Sequence, residues 1–216
     1  YLPDLFATHA RHYPTKTAIV CAEETRTWGD FSANINRVAH HLIANGVGKG
    51  DKVAVMMGNA VETLEAVFGA VRAGACVVPL SGLLTREQLG GLLTDCGAVA
   101  AFVSEAFRER VEPLRPDLGR IANWISHGFD GDGWHAMTEI LTSDATDIRH
   151  NLTDPFNIIY SSGTTGLPKG IVQTHRARLH WAFSNAVEMG FNANSRALVT
   201  TPLYSNGTWL MMLPIL

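Results

Sequence analysis

The stretch YSSGTTGLPKG, at residues 160–170, combines glycines, hydroxyl side chains and a single lysine. Its glycines permit a tight backbone whose N–H groups converge on one point, a geometry that favours anions. Lys169 adds a positive charge on a long flexible stem, which suits it to reach a phosphate. Further donors come from the hydroxyl groups of Ser161, Ser162, Thr164 and Thr165. We therefore predict a phosphate-binding loop.

This loop differs from a Walker A motif. That motif reads G-x-x-x-x-G-K-[ST] between a strand and a helix, whereas here Gly170 follows Lys169 and a second strand-like run comes next. The alternative interpretation is a plain hairpin tip, in which Gly, Ser, Thr and Pro are also common. The lysine and the two flanking apolar runs favour the phosphate loop.

Segments of alternating type must position this loop. The apolar runs VAVMM, ACVVPL and AVAAFV alternate with segments of helical period, which are predicted to begin at Thr27, Asn59 and Thr85. Continuous apolar runs are typical of strands that are buried on both faces of a parallel sheet. This βαβαβ order predicts an α/β fold with a mainly parallel sheet and helices on both of its faces.

The second half of the chain is less regular. The pattern is lost between residues 127 and 154, where we expect a connection with one weak helix at WHAMTEIL. Strands at 156–160 and 170–174 are predicted to form a glycine-rich hairpin around the loop. A helix at 175–189 follows, and then a short strand at ALVTTP. The inward face of that helix is predicted to carry Leu179, Phe183, Ala186 and Val187.

Composition excludes several classes of protein. The net charge of −3 shows no basic excess, which argues against a nucleic-acid partner, and no apolar run approaches the ~18 residues of a membrane span. Cys21, Cys76 and Cys96 lack metal-ligand spacing, and they favour a reduced, cytoplasmic protein. The apolar end TWLMMLPIL indicates a piece of a longer protein or a homodimer contact.

Several segments resemble the adenylate-forming superfamily of AMP-dependent synthetases and ligases. IIYSSGTTGLPKGIVQTH is similar to its phosphate-loop signature, and residues 26–80, THRARL and TPLYSNG resemble further segments in the same order. Within that superfamily the chain is most similar to acyl-CoA synthetases, because LYSNGTW lacks the phenylalanine–aspartate pair usual in peptide-synthetase domains. The resemblance implies the first part of a large N-terminal domain, with an N-terminal α/β portion at 1–150 and a phosphate-loop portion at 151–216.

The resemblance also implies a two-step reaction and a set of ligands. A carboxylic acid reacts with ATP and Mg²⁺ to give an acyl adenylate, and CoA then takes the acyl group. The β- and γ-phosphates would be held by Ser161, Ser162, Gly163, Thr164, Thr165, Gly166 and Lys169, with Lys169 as the catalytic charge. The magnesium ligand is unknown, because the resemblance places it, with a ribose-binding aspartate and a second lysine, beyond Leu216.

Some residues depart from the family pattern or allow two interpretations. Ser205 stands where many relatives carry histidine, while Tyr204 retains an aromatic ring, and Tyr204, Ser205 and Asn206 are tentative substrate residues. Trp209 lines an acyl pocket or belongs to the core. Arg176 and Arg178 reach phosphate or CoA, or else lie on a solvated helix face, which is the favoured interpretation. His175 is expected to cap a helix.

Three functions follow from these observations. The leading hypothesis is the N-terminal part of an ATP-dependent acyl-CoA synthetase. The alternatives are a non-catalytic nucleotide-binding or scaffold module, and an adenylation enzyme that loads a carrier protein. In each case we expect the 216-residue chain alone to be inactive and to bind ATP weakly, at roughly millimolar concentration.

Overall fold

The computed structural model describes residues 1–140, 153–161 and 168–216. Its helices are α1 (Leu2–His12), α2 (Trp28–Ala44), α3 (Val61–Arg72), α4 (Arg86–Cys96), α5 (Glu105–Val111), a 3-10 helix (Glu112–Asp117), α6 (His175–Glu188) and α7 (Asn206–Met212). Its strands are β1 (Thr17–Cys21), β2 (Glu24–Thr27), β3 (Lys52–Met56), β4 (Cys76–Pro79), β5 (Ala98–Ser104), β6 (Asn123–His127), β7 (His135–Ala136), β8 (Pro155–Ser161) and β9 (Lys169–Thr174).

The main sheet has the strand order β7-β6-β5-β3-β4-β8-β9 within the described residues. Every neighbouring pair is parallel except β8 and β9, which are antiparallel. A separate hairpin is formed by β1 and β2. The predicted mainly parallel sheet is confirmed, and so are the two strands that flank the glycine-rich loop.

Helices cover both faces of this sheet, as the apolar runs predict. Val53 and Val55 of β3 pack in one core cluster with residues of α1, α2, α3 and α7. Ala54 and Met56 alternate with them along β3 and pack in a second cluster with α4 and α5. Side chains alternate between the two faces of a strand. A strand that is apolar at every position therefore requires a helical layer on each side.

Local capping signals set two of the helix starts. The Thr27 hydroxyl accepts a hydrogen bond from the backbone N–H of Asp30 at 3.1 Å, at the start of α2. Thr85 and Gln88 form a reciprocal capping box at the start of α4, because each side chain accepts from the other residue's backbone N–H. Gly97 ends α4 in the left-handed conformation, with φ of 63°.

The prediction of a weak helix at WHAMTEIL is wrong for the residues that the structure describes. Strand β7 lies there instead and pairs in parallel with β6, at the edge of the sheet. The indole of Trp134 packs against the rings of Trp124 and Phe129, with centroids 5.5 and 4.9 Å away. These contacts, together with the pairing to β6, override the local helical pattern.

The predicted inward face of α6 is right at Leu179, which packs against the core, and wrong at two other positions. Phe183 and Val187 are exposed, at 55% and 81%, whereas His175, Arg178 and Ala182 are buried. These three residues are spaced by three and four positions, so they do form one helical stripe. The stripe is partly polar, which is why an apolar periodicity cannot find it. None of the helices in the described ranges combines the length and apolar content that a bilayer span needs.

Gly69 allows α2 and α3 to pack closely, and its replacement gives a first prediction. A Cβ atom at this position would overlap the Val38 side chain and lie 3.2 Å from the carbonyl oxygen of Ile35. Gly69→Ala is therefore expected to lower the free energy of unfolding by about 1–3 kcal/mol, the usual cost of overpacking. Urea titration of the purified protein measures it.

Gly91→Ala in α4 is the matched control, because no heavy atom would lie within 4 Å of the added Cβ. Higher helix propensity should make this variant more stable by up to ~1 kcal/mol. Val38→Ala combined with Gly69→Ala should recover part of the loss. Equal effects of the two glycine substitutions would contradict a close helix contact at Gly69.

Candidate phosphate-loop site

The parallel strands bring the predicted phosphate loop to the edge of the sheet that their carboxyl ends form. The strands β3, β4, β5, β6 and β8 run in the same direction, so their carboxyl ends share that edge. Strand β8 ends there at Ser161, and β9 begins opposite with Lys169, which pairs with Ser161 in the register. Ligands of open α/β sheets bind outside the carboxyl ends of the strands. The base of the loop therefore lies where an α/β fold binds ligands.

The structure locates only part of the predicted binding set. Ser161 is half-buried and Lys169 is exposed. Within the described residues no carboxylate forms an ion pair with Lys169, so its ammonium can meet an incoming anion. Five further predicted ligands lie outside the described residues: Ser162, Gly163, Thr164, Thr165 and Gly166.

Tyr160 anchors the strand that enters the loop. Its hydroxyl donates a hydrogen bond to the carboxylate of Asp95, in α4, at 2.5 Å. Burial and this carboxylate raise the pKa of Tyr160 far above its ordinary value, so the hydroxyl stays protonated and keeps donating. On β9, a Cβ at Gly170 would lie only 3.2 Å from the Tyr160 ring. The glycine after Lys169 therefore lets β9 approach that ring closely.

A cleft of about 280 Å³ opens at the same carboxyl edge. The connection after β3 runs through α3 on one face of the sheet, and the connection after β4 runs through α4 on the other. Where successive connections diverge in this way, a crevice forms between the strands. Its walls are Met57, Gly58, Asn59, Gly82, Phe107, Thr200, Pro202 and Tyr204. Of the tentative substrate residues, Tyr204 lines this cleft, and Ser205 and Asn206 are not among its lining residues.

Asn59 fixes the segment that forms one wall of the cleft. Its amide N–H₂ donates to the carbonyl oxygen of Thr201, and its amide oxygen accepts from the N–H of Leu203, both at 3.0 Å. The indole N–H of Trp209 donates to the carbonyl oxygen of Leu203 at 2.7 Å. Residues 197–202 are therefore not the predicted strand, because side chains rather than a neighbouring strand bind this backbone. Nor does Asn59 cap α3, which begins after Ala60 without a side-chain cap.

Trp209 and Arg178 are both buried. Trp209 is 1% exposed and packs edge-on against Phe156, so it belongs to the core, as one of its two interpretations holds. Arg178 is 0% exposed, so the solvated-face interpretation is wrong for this residue, whereas Arg176 is exposed. The helix cap is Thr174, whose hydroxyl accepts from the N–H of Ala177, and not the buried His175.

Arg178 connects the strand that leads to the loop with the start of α7. Its Nε donates to Asn157 Oδ1 at 2.9 Å, and its Nη2 donates to Asn206 Oδ1 at 3.0 Å. Burial lowers the pKa of Arg178 to about 10. The sequence holds one signal for this contact, because Asn157 is a polar residue inside the apolar run FNIIY. Polar residues in buried strands require a partner.

The magnesium ion that the resemblance implies has no ligand set here. In the part of the chain that the structure describes, no group of three His, Cys, Asp or Glu side chains is placed to hold a metal ion. The phosphate-loop hydroxyls and Lys169 are suited to phosphate oxygens and not to the metal alone.

Comparison with models of known protein families agrees with these motifs. A family model described as AMP-binding enzyme matches residues 6–216. The chain belongs to the AMP-binding enzyme family. This assignment confirms the resemblance to adenylate-forming enzymes, which rests on the phosphate loop and on the segments around it.

Individual relatives agree with this family assignment. The chain is 34% identical over 173 residues to the fatty acid–[acyl-carrier-protein] ligase ScoC of Streptomyces coeruleorubidus, covering 78% of this chain and 32% of that protein. It is 33% identical over 188 residues to the long-chain-fatty-acid–CoA ligase FadD13 of Mycobacterium tuberculosis, covering 82% and 35%. The chain thus spans about a third of the length of these relatives.

A solved structure shows the same architecture. The inhibitor-bound N-terminal domain of FACL13 from Mycobacterium tuberculosis superposes with a TM-score of 0.82 and 26% identity. The superposition covers 98% of this chain and 54% of that domain. The predicted α/β fold of an adenylate-forming N-terminal domain is therefore confirmed.

Proposed function

We propose that this chain is the N-terminal part of an ATP-dependent acyl-CoA synthetase. The observation that carries the proposal is the position of the glycine-rich hairpin. Its base, at Ser161 and Lys169, lies on the carboxyl edge of the sheet, where the cleft lined by Tyr204 also opens. A phosphate loop and a cleft for an organic substrate on the same sheet edge suit a reaction between ATP and a carboxylic acid.

The first half-reaction joins these two anions. A carboxylate oxygen attacks the α-phosphorus of ATP, the bond from that phosphorus to the bridging oxygen breaks, and pyrophosphate leaves. The loop residues Ser161, Ser162, Gly163, Thr164, Thr165 and Gly166 hold the β- and γ-phosphates through N–H and hydroxyl donors. Lys169 stabilises the negative charge that grows on pyrophosphate, in the way that preorganised donors stabilise other leaving groups.

The second half-reaction transfers the acyl group. The thiolate of CoA attacks the carbonyl carbon of the acyl adenylate, and AMP leaves as the thioester forms. The name of FadD13 supports CoA as the acceptor. The name of ScoC supports a carrier-protein thiol, which is the second candidate acceptor. In both cases Lys169 acts in the first half-reaction only, because pyrophosphate is formed there.

The buried cysteines support a reducing, cytoplasmic location for the enzyme. Cys76 and Cys96 are buried as free thiols, and burial raises the pKa of each, so they stay protonated and unreactive. We place the enzyme in the cytoplasm, with Mg²⁺ and ATP drawn from the cellular pool.

Leu210 and Met211 of α7 remain partly exposed, at 37% and 42%, and further sequence or a second copy in a homodimer would cover them.

Acid-dependent pyrophosphate release tests the proposal. The complete protein that carries this chain is assayed with ATP, Mg²⁺ and a panel of fatty and aromatic acids, and thioester formation is followed with CoA and with a pantetheine-bearing carrier protein. We expect release that depends on the acid, and a thioester with CoA. Nucleotide binding without release for any acid would identify a binding module instead. A thioester with the carrier protein alone would identify the second candidate.

A further inference from the structure

Arg178 is a buried cation without a counter-charge among the described residues. No carboxylate in those ranges lies within ion-pair distance of it. Its guanidinium is enclosed by two indole rings, with its central carbon 5.0 Å from the Trp209 centroid and 5.3 Å from that of Trp181. Burial of this charge costs desolvation, which the two amide acceptors and the indole faces offset.

A guanidinium can do what an apolar side chain cannot. Its planar fork holds two acceptors in a fixed relative geometry. Here the acceptors are the amide oxygens of Asn157, in β8, and of Asn206, the first residue of α7. The two residues are far apart in sequence, and the fork fixes the distance between them.

The two ends of this connection are not equally rigid. Strand β8 lies inside the sheet, where the neighbouring strands β4 and β9 hold it. Helix α7 is only 7 residues long, and no side chain caps its start at Ser205. Arg178 therefore ties the first residue of α7 to the rigid strand, in addition to the bonds that Asn59 and Trp209 make to residues 201 and 203.

We propose that Arg178 is a positioning residue, which holds Asn206, and with it Tyr204 and Ser205, in register with the strand that carries the phosphate loop. The inference rests on the proposed function, because it takes Tyr204, which lines the cleft, as part of the wall that contacts the acid. The phosphate loop itself is anchored elsewhere, through Tyr160 and Asp95. Loss of the fork should therefore affect the acid and leave ATP binding intact.

The test is a set of variants of the complete protein, assayed by pyrophosphate release. Arg178→Met is expected to lower kcat/KM for the acid by ~10²-fold, the scale of a 1 Å misplacement, and to raise the KM for the acid with that for ATP unchanged. Arg178→Lys can reach only one of the two amides, so its kcat/KM for the acid should lie between that of Arg178→Met and that of the native protein. The thermal midpoint of Arg178→Met should fall, because the substitution leaves the amide oxygens of Asn157 and Asn206 without their donor.

Ala182→Gly is the matched control. Ala182 lies one turn further along the same buried face of α6, and its replacement weakens the helix without touching Asn206. We expect a lower thermal midpoint and an unchanged KM for the acid. If Arg178→Met left the KM for the acid unchanged, or if it raised the KM values for the acid and for ATP equally, Arg178 would not have the positioning role.

Hydrogen exchange separates this inference from the proposed function. In Arg178→Met, amides of residues 203–213 should exchange ~10-fold faster, with α3 unchanged, since local openings are governed by local contacts. This readout needs no activity. If the native protein showed no acid-dependent pyrophosphate release, the proposed function would fail while exchange still reported on the position of α7. Unchanged exchange in an active enzyme would overturn the role of Arg178 alone.

Discussion

Replacement of Lys169 by alanine in the complete protein is expected to slow adenylation by ~10²–10³-fold. This is the usual effect of removing one preorganised donor from a developing charge, and it corresponds to ~3–4 kcal/mol of transition-state stabilisation. The lysine begins β9, directly opposite the last residue of β8, so its charge lies at the base of the loop that we propose holds the phosphates. Pyrophosphate release in single-turnover conditions measures the effect.

Thioester formation from a supplied acyl adenylate should be affected much less, since no pyrophosphate is present in that step. Lys169→Arg, which keeps the charge, should retain part of the rate. Lys52→Ala is the matched control, because Lys52 begins β3 and so lies at the opposite edge of the sheet. Equal losses in the two half-reactions would contradict the proposed role of Lys169.

The second large effect concerns a buried carboxylate that is distant from the loop. Glu65 in α3 is 2% exposed, and its Oε1 accepts hydrogen bonds from Arg26 Nε at 2.9 Å and from Asn34 Nδ2 at 2.7 Å. Arg26→Met would leave this carboxylate buried with its amide partner only. The free energy of unfolding should then fall by about 3 kcal/mol near pH 8, at the lower end of the usual range for a broken buried pair, because Arg26 is partly exposed.

This loss should depend on pH. Burial raises the pKa of Glu65 above its ordinary value, so the folded protein holds this proton to a higher pH than the unfolded chain does. The contribution of such a group to stability is complete below its unfolded pKa and is lost as the pH rises through its folded pKa. Without Arg26 the folded pKa rises further. The difference in the free energy of unfolding between Arg26→Met and the native protein should therefore shrink as the pH falls from 8 to about 5.

A double variant supplies the control. Arg26→Met with Glu65→Gln keeps an acceptor for Asn34 and removes the buried charge, so it should recover most of the lost stability and show no such pH dependence. Urea titrations of the three proteins at both pH values give the comparison. A loss in Arg26→Met that is the same at pH 5 and pH 8 would show that Glu65 does not carry an uncompensated charge.

The two halves of the site differ in how far local sequence predicts them. The glycines, hydroxyls and lysine of the phosphate loop are contiguous, so their chemistry can be read without a fold. The assignment of Ser161, Ser162, Gly163, Thr164, Thr165, Gly166 and Lys169 to phosphate stays a prediction. The wall of the cleft is assembled from separate segments. Asn59 follows β3 but binds the backbone at Thr201 and Leu203, a pairing that no local pattern contains.

The sequence by itself determined the α/β class and the strands β3, β4, β5, β8 and β9, because uninterrupted apolar runs and capping pairs act through neighbours in the chain. Thr85 and Gln88, for example, cap α4 across three residues. Only the tertiary structure decided which face of α6 is buried. Arg178 is as polar as Arg176, yet it lies in the core because two amides and the indole of Trp209 reach it from other parts of the chain. Burial of a polar side chain depends on partners gathered in space, and periodicity along the chain does not encode them.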